Sequence, residues 1–95
     1  MAVLIKRGVY GDLVLPAQKA FGRVASVYSS YGQDIVITSI RDGNHGNKSI
    51  HPIGHAFDIR YGDDIPENKI IEATGPDCDV IFHKTHIHIE YDPKR

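Results

Sequence analysis

Apolar residues recur every three or four positions in the segment that follows Asp12, which is the spacing of one face of an α-helix. Pro16 suits the first turn of such a helix, where a missing N–H costs no hydrogen bond. Gly32 suits the position just past its C-terminus. The apolar face consists of Val14, Ala17, Phe21, Val24, Tyr28 and Tyr31. The pattern predicts an amphipathic helix that covers the core and carries no chemistry.

Segments rich in β-branched residues predict strands at Asp34–Ile40 and His55–Tyr61. Side chains alternate between the two faces of a strand. In the second of these strands, alternation sets His55, Phe57 and Ile59 on one face and Ala56, Asp58 and Arg60 on the other. The polar loop between the two strands contains two glycines and is of the kind that often lines a site.

The C-terminal part predicts a hairpin in which Asp79–Phe82 and His86–Tyr91 are strands and His83-Lys84-Thr85 is a tight connection. A hairpin requires antiparallel pairing. At the other end of the chain, Met1–Tyr10 begins with an apolar run and is interpreted as an N-terminal extension or a short edge strand.

A second helix is predicted between these strands. Asp64 and Glu67 have the spacing of a capping box, with Asp64 as the N-cap, and Gly75-Pro76 ends the helix. Its apolar side consists of Ile65, Ile70, Ile71 and Thr74. These elements predict an α+β fold, a small antiparallel sheet with two helices on one face, in a single domain that spans residues 1–95.

Composition excludes several classes of protein. The formal net charge is −1 with no basic run, which argues against nucleic acid as the main partner. A single cysteine, Cys78, excludes an internal disulfide. No apolar run approaches the roughly 20 residues that span a membrane, so membrane insertion is not expected. The apolar run within Met1–Gly8 is too short for a secretory signal, and the charged residues Lys6 and Arg7 follow it too early.

Six histidines in 95 residues are an excess, and all lie between His45 and His88. His51 and Asp58 are seven positions apart. Imidazole and carboxylate are natural ligands of Zn²⁺, and three protein ligands leave a fourth position open, as in catalytic zinc sites. His86 and His88 share a strand face, so either or both are able to complete the set. His45 is expected to be a solvated loop residue, and His55 to pack or form a hydrogen bond.

Two motifs carry a resemblance to a known superfamily. Ser49-x-His51-x-x-Gly54-x-Ala56-x-Asp58 is followed about 30 residues later by His86-x-His88. This combination resembles the zinc peptidases of the D-alanyl-D-alanine carboxypeptidase type. Their superfamily also contains the L-alanyl-D-glutamate endolysins of phages, murein endopeptidases and the hedgehog N-terminal signalling domain. The resemblance covers roughly Thr38 to Pro93 and implies a hedgehog-like fold in a small phage- or prophage-type member.

The resemblance implies a role for each matching position. His51, Asp58 and His88 would hold one Zn²⁺, with Ser49 near the substrate. His86 would lie beside the metal and help to hold the transition state. Thr38-Ser39-Ile40-Arg41 matches the segment in which those peptidases carry an arginine. Arg41 would then bind a substrate carbonyl or carboxylate, a role that suits a rigid guanidinium; on its own, Arg41 would be interpreted as a surface residue of a polar loop.

The largest departure from the resemblance concerns the general base. Active members of that superfamily usually have a glutamate at the position that His83 occupies here. Histidine is able to move the same proton, but a neutral His83 leaves the site one negative charge short. Three alternatives follow: His83 acts as the base, Glu90 or Glu72 substitutes for it, or the site binds metal with weak or no hydrolysis.

The sequence therefore predicts a zinc-dependent peptidase that hydrolyses amide bonds in peptidoglycan stem peptides, of carboxypeptidase or endolysin type. Such an enzyme would reside in the cytoplasm of an infected host or in the virion, and would act on the cell wall after release. The first alternative is a metal-binding module of the same fold with little or no activity, such as a phage structural protein. The second is a histidine-rich domain without a metal.

Overall fold

A computed structural model of the protein describes residues 3–5, 13–41 and 55–93, with the side chains of residues 13–40 and 55–93. This part of the chain contains two helices and five strands. In chain order they are β1 (Val3–Ile5), α1 (Leu15–Ser30), β2 (Ile35–Arg41), β3 (Ala56–Ile59), α2 (Glu67–Thr74), β4 (Cys78–Phe82) and β5 (Ile87–Tyr91). The predicted α+β class is confirmed. No helix of the described residues is long and apolar enough to cross a bilayer.

The five strands form one sheet in the order β1-β2-β3-β5-β4. The four strands from β2 to β4 pair antiparallel, as predicted. The edge strand β1, which lies in the segment interpreted as an extension or a short edge strand, pairs parallel with β2 and so adds one parallel pair to the predicted antiparallel sheet. Helix α1 stands between β1 and β2 in the chain, and a connection of this length allows the two strands to run in the same direction.

Helix α1 follows its predicted pattern. It begins at Leu15, with Pro16 in its first turn, and Gly32 follows its end with a left-handed φ of 71°. The residues that it buries completely are Ala17, Ala20, Val24 and Tyr28. Tyr31 was expected on the same face but is 38% exposed, because it lies just beyond the last helical turn.

Helix α2 begins at Glu67, later than the start that the predicted capping box with Asp64 as N-cap implies. Its N-cap is Pro66, which makes no side-chain hydrogen bond, and Asp64 lies outside the helix with a φ of 62°. Steric contact with a proline disfavours the helical region for the residue before it, so Ile65 stays outside the helix, which begins after Pro66. Gly75 ends the helix with a φ of 85°, as predicted.

The core lies between the helices and one face of the sheet. Phe57 and Ile59 of β3 belong to it, as the alternation in that strand predicted. The other fully buried members include Val24, Tyr28, Ile70, Ile87 and Ile89. On α2, Ile70 and Thr74 are buried as expected, whereas Ile71 is half exposed. The opposite face of β3 and β5 carries Asp58, His88 and Glu90. The candidate site residues therefore lie on the face of the sheet that is turned away from the helices.

Candidate metal centre

Asp58 and His88 are direct neighbours across the central strands of the sheet. The antiparallel register of β3 and β5 places the two residues opposite each other, although they are 30 positions apart in sequence. Asp58 Oδ1 lies 2.7 Å from His88 Nδ1. The aspartate is only 3% exposed, so its carboxylate is held in a site with little water. Two of the three predicted zinc ligands are thus brought together by strand pairing.

The second ring nitrogen of His88 also faces a carboxylate. His88 Nε2 lies 3.2 Å from Glu90 Oε1, two residues further along β5 and on the same face. A neutral imidazole has only one N–H, and its bare nitrogen would repel a carboxylate at hydrogen-bond distance. The arrangement is therefore satisfied by a proton on both nitrogens, by a proton on one of the carboxyl groups, or by a metal ion near one of the nitrogens.

The pKa of His88 reflects the same arrangement. The hydrogen bond to Asp58 is the largest influence and raises the pKa of His88 above the ordinary value of 6.5, and Glu90 raises it further. Partial burial acts in the opposite direction because it disfavours the charged ring. The two carboxylates together favour the protonated form of His88.

Asp58 and His88 would supply two of the three predicted ligands of a zinc site, with Glu90 outside the ligand set. Metal-bound histidines commonly donate their second N–H to a carboxylate, which fixes the ring and its tautomer. Glu90 holds Nε2 in that manner and leaves Nδ1 directed at Asp58. Ligand atoms of a tetrahedral zinc ion lie about 3.3 Å apart. Asp58 Oδ1 and His88 Nδ1 are 2.7 Å apart, which is the distance of a hydrogen bond. Zinc binding would therefore increase the distance between these two atoms by about half an ångström.

The third predicted ligand, His51, lies outside the described residues, as do Ser49 and His45. Within residues 13–41 and 55–93, no group of three or more histidine, cysteine, aspartate or glutamate side chains is arranged to hold a metal ion. The ligand set of His51, Asp58 and His88 therefore remains a prediction, of which the described residues contain one pair.

His86 lies beside this pair, just before β5 begins. Its Nε2 is 3.9 Å from Asp58 Oδ2, and its Nδ1 is 3.1 Å from the hydroxyl of Thr85. The ring of His83 stacks on the ring of His86, with their centroids 4.6 Å apart. The backbone N–H of His83 donates to the carbonyl of His86, so the connection between β4 and β5 is closed as the predicted hairpin.

The remaining predicted residues have distinct positions. Arg41 is the last residue of β2 and pairs with Ala56 of β3. Ala56 pairs in turn with Glu90 of β5. The side chain of Arg41 lies outside the described part of the chain. Glu72, the second alternative base, is exposed on α2, which packs against the apolar face of the sheet. Glu90 is the one alternative carboxylate that the structure places beside His88.

His55 packs as predicted. Its ring lies 5.7 Å from the ring of Tyr91, and its Nδ1 is 3.3 Å from the carbonyl oxygen of Tyr91. Both contacts join the start of β3 to the end of β5. His55 is therefore a structural residue at the border of the sheet.

A pocket of about 330 Å³ opens on the polar face next to Asp58. It is lined by Thr38, Ser39, Asp58, Arg60, Thr85 and His86. The sequence pattern did not single out Arg60 for a role, although the alternation in β3 placed it on the face of Asp58. A one-residue irregularity in the pairing of β2 with β3, between Ile37 and Ser39, affects the part of β2 that lines the pocket, and no sequence signal announced it.

A larger cavity, about 500 Å³, lies between the start of α1 and the end of α2. It shares no lining residue with the pocket beside Asp58. Arg23 lines it, but its guanidinium donates to the carbonyls of Ala73 and Thr74. These bonds satisfy carbonyl groups at the end of α2, so Arg23 stabilises the helix end. Larger volume does not make this cavity the functional one, because the paired ionisable groups lie at the smaller pocket.

Comparison of the chain with protein-family models, with curated proteins and with solved structures found no match. The geometry of the polar face and the motifs in the sequence are therefore the observations that bear on function.

Proposed function

We propose that this protein is a zinc-dependent peptidase that hydrolyses amide bonds in the stem peptides of peptidoglycan. One observation carries the proposal: Asp58 and His88 come from two separate motifs and meet at 2.7 Å on the buried centre of the sheet. The motif resemblance names these two residues as ligands of one metal ion, which requires them to lie close together. A chance similarity between the motifs would carry no such requirement.

The proposed ligands are Asp58, His88 and His51, which is the first histidine of the same motif as Asp58. A zinc ion bound by three protein ligands lowers the pKa of a coordinated water to about 7 and polarises a carbonyl group. Glu90 orients His88 by accepting a hydrogen bond from Nε2. This division of roles uses both nitrogens of His88 and leaves no bare nitrogen facing a carboxylate.

His86 and His83 are assigned to the substrate side of the site. His86 Nε2 lies 3.9 Å from Asp58 Oδ2, so the ring would lie beside a metal held by Asp58 and would donate a hydrogen bond to a substrate carbonyl there. His83 stacks on His86 and is assigned as the proton carrier, because Glu90 is engaged with His88 and Glu72 is on α2. Arg41 and Ser49 complete the proposal as groups that bind the substrate.

A second candidate function is a metal-binding module with little or no hydrolysis, such as a structural protein of a phage particle. The observation that favours it is His83, which stands where the active peptidases of the resemblance carry a glutamate. The two candidates share a metal site and differ in proton transfer, so a substitution at position 83 separates them.

The direct test of the proposed function is hydrolysis of purified muropeptides by the zinc-loaded protein, detected as new amine ends. We expect zinc-dependent release by the natural protein and none by Asp58→Asn, which removes the ligand charge. Asp63→Asn is the matched control, because Asp63 is an exposed residue of the turn after β3 and should leave the rate unchanged. Absence of new amine ends at high protein concentration, with zinc bound, would establish the non-catalytic alternative.

A further inference from the structure

Strand β4 forms one edge of the sheet. It pairs with β5 along its whole length in a regular register, and no described strand pairs with its other side. All of its residues remain at least partly exposed, whereas all residues of β3 are buried. Natural sheets usually protect such edges with charges, proline or bulges, because a regular exposed edge is a template for another strand. The central residues Val80, Ile81 and Phe82 carry none of these devices.

The backbone groups of β4 alternate in direction. The odd-numbered residues from Asp77 to His83 form the hydrogen-bonded pairs with β5, since the backbone bonds at both ends of this series are made. Val80 and Phe82 therefore direct their N–H and C=O groups away from β5, to the open side of the edge. A further strand beside β4 has to pair through these two residues.

The side chains of the edge are partly apolar and partly polar. Ile81 is 49% exposed and pairs with His88, so it lies on the face of the sheet that is turned away from the helices. Asp79 shares this face, and the exposed His83 continues the same alternation after the strand. A fitting partner strand places an apolar group against Ile81, a hydrogen-bond donor against Asp79 and an acceptor against His83. The same edge of a second copy supplies all three.

Only one two-fold register satisfies both the backbone and the side chains. When the axis passes through Ile81, Val80 of each copy exchanges hydrogen bonds with Phe82 of the other, the two Ile81 side chains meet, and each Asp79 faces a His83. An axis at Val80 sets Asp79 against Ile81, and an axis at Phe82 sets Ile81 against His83. An axis at Asp79 sets two carboxylates against each other, which is destabilising.

We propose that β4 pairs antiparallel with β4 of a second copy of this chain, about a two-fold axis at Ile81, so that one sheet continues through both copies. Two-fold pairing of identical surfaces is the commonest form of self-association. The imidazole of His83 is able to donate a hydrogen bond to the carboxylate of Asp79 from the other copy. Directly opposite side chains of an antiparallel pair are close enough for this contact. The inference goes beyond the proposed peptidase function and does not depend on it.

Sedimentation equilibrium in the presence of a chelator tests the inference, because the chelator removes dimers that are bridged by metal between exposed histidines. The natural protein should form dimers. Ile81→Lys sets two cations against each other at the axis, so the dissociation constant of the dimer should rise at least about tenfold. Ser26→Lys is the matched control, since Ser26 is exposed on α1 and outside the sheet, and should leave association unchanged.

Two further variants test the register. Asp79→Lys should weaken the dimer because it sets a cation against His83, and the additional change His83→Glu should restore it. Ile81→Cys in a Cys78→Ser background should form a disulfide between copies, because Cα atoms of such a pair lie about 4.5 Å apart, within the range of a disulfide. Ser26→Cys in the same background is the control and should stay reduced.

A protein that remains monomeric up to about 1 mM would overturn the inference, as would a dimer that Ile81→Lys leaves intact. The register is part of the inference. It is therefore also overturned if His83→Glu fails to restore the dimer of Asp79→Lys, or if Ile81→Cys forms its disulfide no faster than Ser26→Cys. None of these measurements involves hydrolysis, so their failure is distinct from failure of the proposed function.

Discussion

Asp58 Oδ1 and His88 Nδ1 lie 2.7 Å apart across two central strands, although 30 residues separate them in sequence. The distance is that of a shared proton, and Glu90 occupies the other ring nitrogen of the same histidine. On the proposed function, a proton and a metal ion would compete for the space between Asp58 and His88. The following predictions depend on this competition and on the residues around it.

Glu90→Gln should weaken zinc binding while leaving the ligands in place. Glutamine is able to accept the hydrogen bond from His88 Nε2, but it removes the charge that makes the imidazole a stronger ligand. Loss of an outer carboxylate of this kind typically costs about 10–100-fold in metal affinity. Competition with a chromophoric chelator measures the change. Glu72→Gln, on the exposed side of α2, should bind zinc as the natural protein does, and an equal loss there would contradict the role of Glu90.

Stability of the zinc-free protein should depend on the protonation of His88. The pKa of His88 is raised in the folded state, so its contribution is fully present below the unfolded value of 6.5 and is lost as the pH rises through the folded pKa. Urea midpoints in the presence of a chelator should fall in this window for the natural protein. The fall should be smaller in Asp58→Asn, because the main cause of the raised pKa is removed. Identical pH profiles would argue against the Asp58–His88 bond.

Zinc binding should show the opposite dependence on pH. The metal displaces the proton from His88 Nδ1, so zinc affinity should rise as the pH increases through the raised pKa of that histidine. Calorimetry in two buffers of different ionisation enthalpy counts the protons released per zinc ion. A count of zero at pH 6.5 would contradict proton displacement from the pair.

His83→Glu should increase hydrolysis if proton transfer limits the natural enzyme. Glutamate restores the charge that a neutral histidine omits, and general acid–base groups typically contribute 10²–10⁴-fold to the rate. His83→Ala should reduce kcat with little change in zinc content. A rate in His83→Ala equal to that of the natural protein would remove His83 from the proposed role and leave the remainder of the site untouched.

Tyr28→Phe should destabilise the protein and loosen the backbone of Arg60. The hydroxyl of Tyr28 donates to the carbonyl of Arg60 over 2.6 Å, and burial raises the pKa of Tyr28 to about 12. Loss of an intramolecular hydrogen bond typically costs about 0.5–1.5 kcal/mol. Tyr31→Phe is the matched control, because Tyr31 is 38% exposed at the end of α1 and should change the free energy of unfolding by less than about 0.5 kcal/mol. Urea unfolding measures both.

Local patterns predicted most of the elements and the pairing of β4 with β5, but not the order of the strands in the sheet. The three-to-four residue period fixed α1, and alternation in β3 correctly separated Phe57 from Asp58. The predicted start of α2 at Asp64 was wrong, because the steric effect of Pro66 on Ile65 outweighs the favourable spacing of Asp64 and Glu67. In each case, the outcome depended on interactions within a few residues.

The arrangement of the site depends on contacts that no local pattern encodes. The motif resemblance named Asp58 and His88, and alternation in β5 sets Glu90 on the face of His88, but the pairing of β3 with β5 that brings Asp58 to His88 is a long-range feature. The parallel addition of β1 to β2 and the irregular pairing near Ser39 are likewise long-range features. Arg60 acquires its environment from β2 and from the hairpin connection, so its sequence neighbours gave no indication of a pocket.

Zinc titration of the natural protein and of Asp58→Asn tests the central claim most directly. The account predicts one zinc ion per chain in the natural protein, and a loss of affinity of more than about 100-fold in Asp58→Asn, since a carboxylate ligand becomes a neutral amide. The Asp63→Asn control should bind like the natural protein. Binding of no zinc by the natural protein, or equal affinity in Asp58→Asn, would contradict the assignment of Asp58 and His88 as a metal-binding pair.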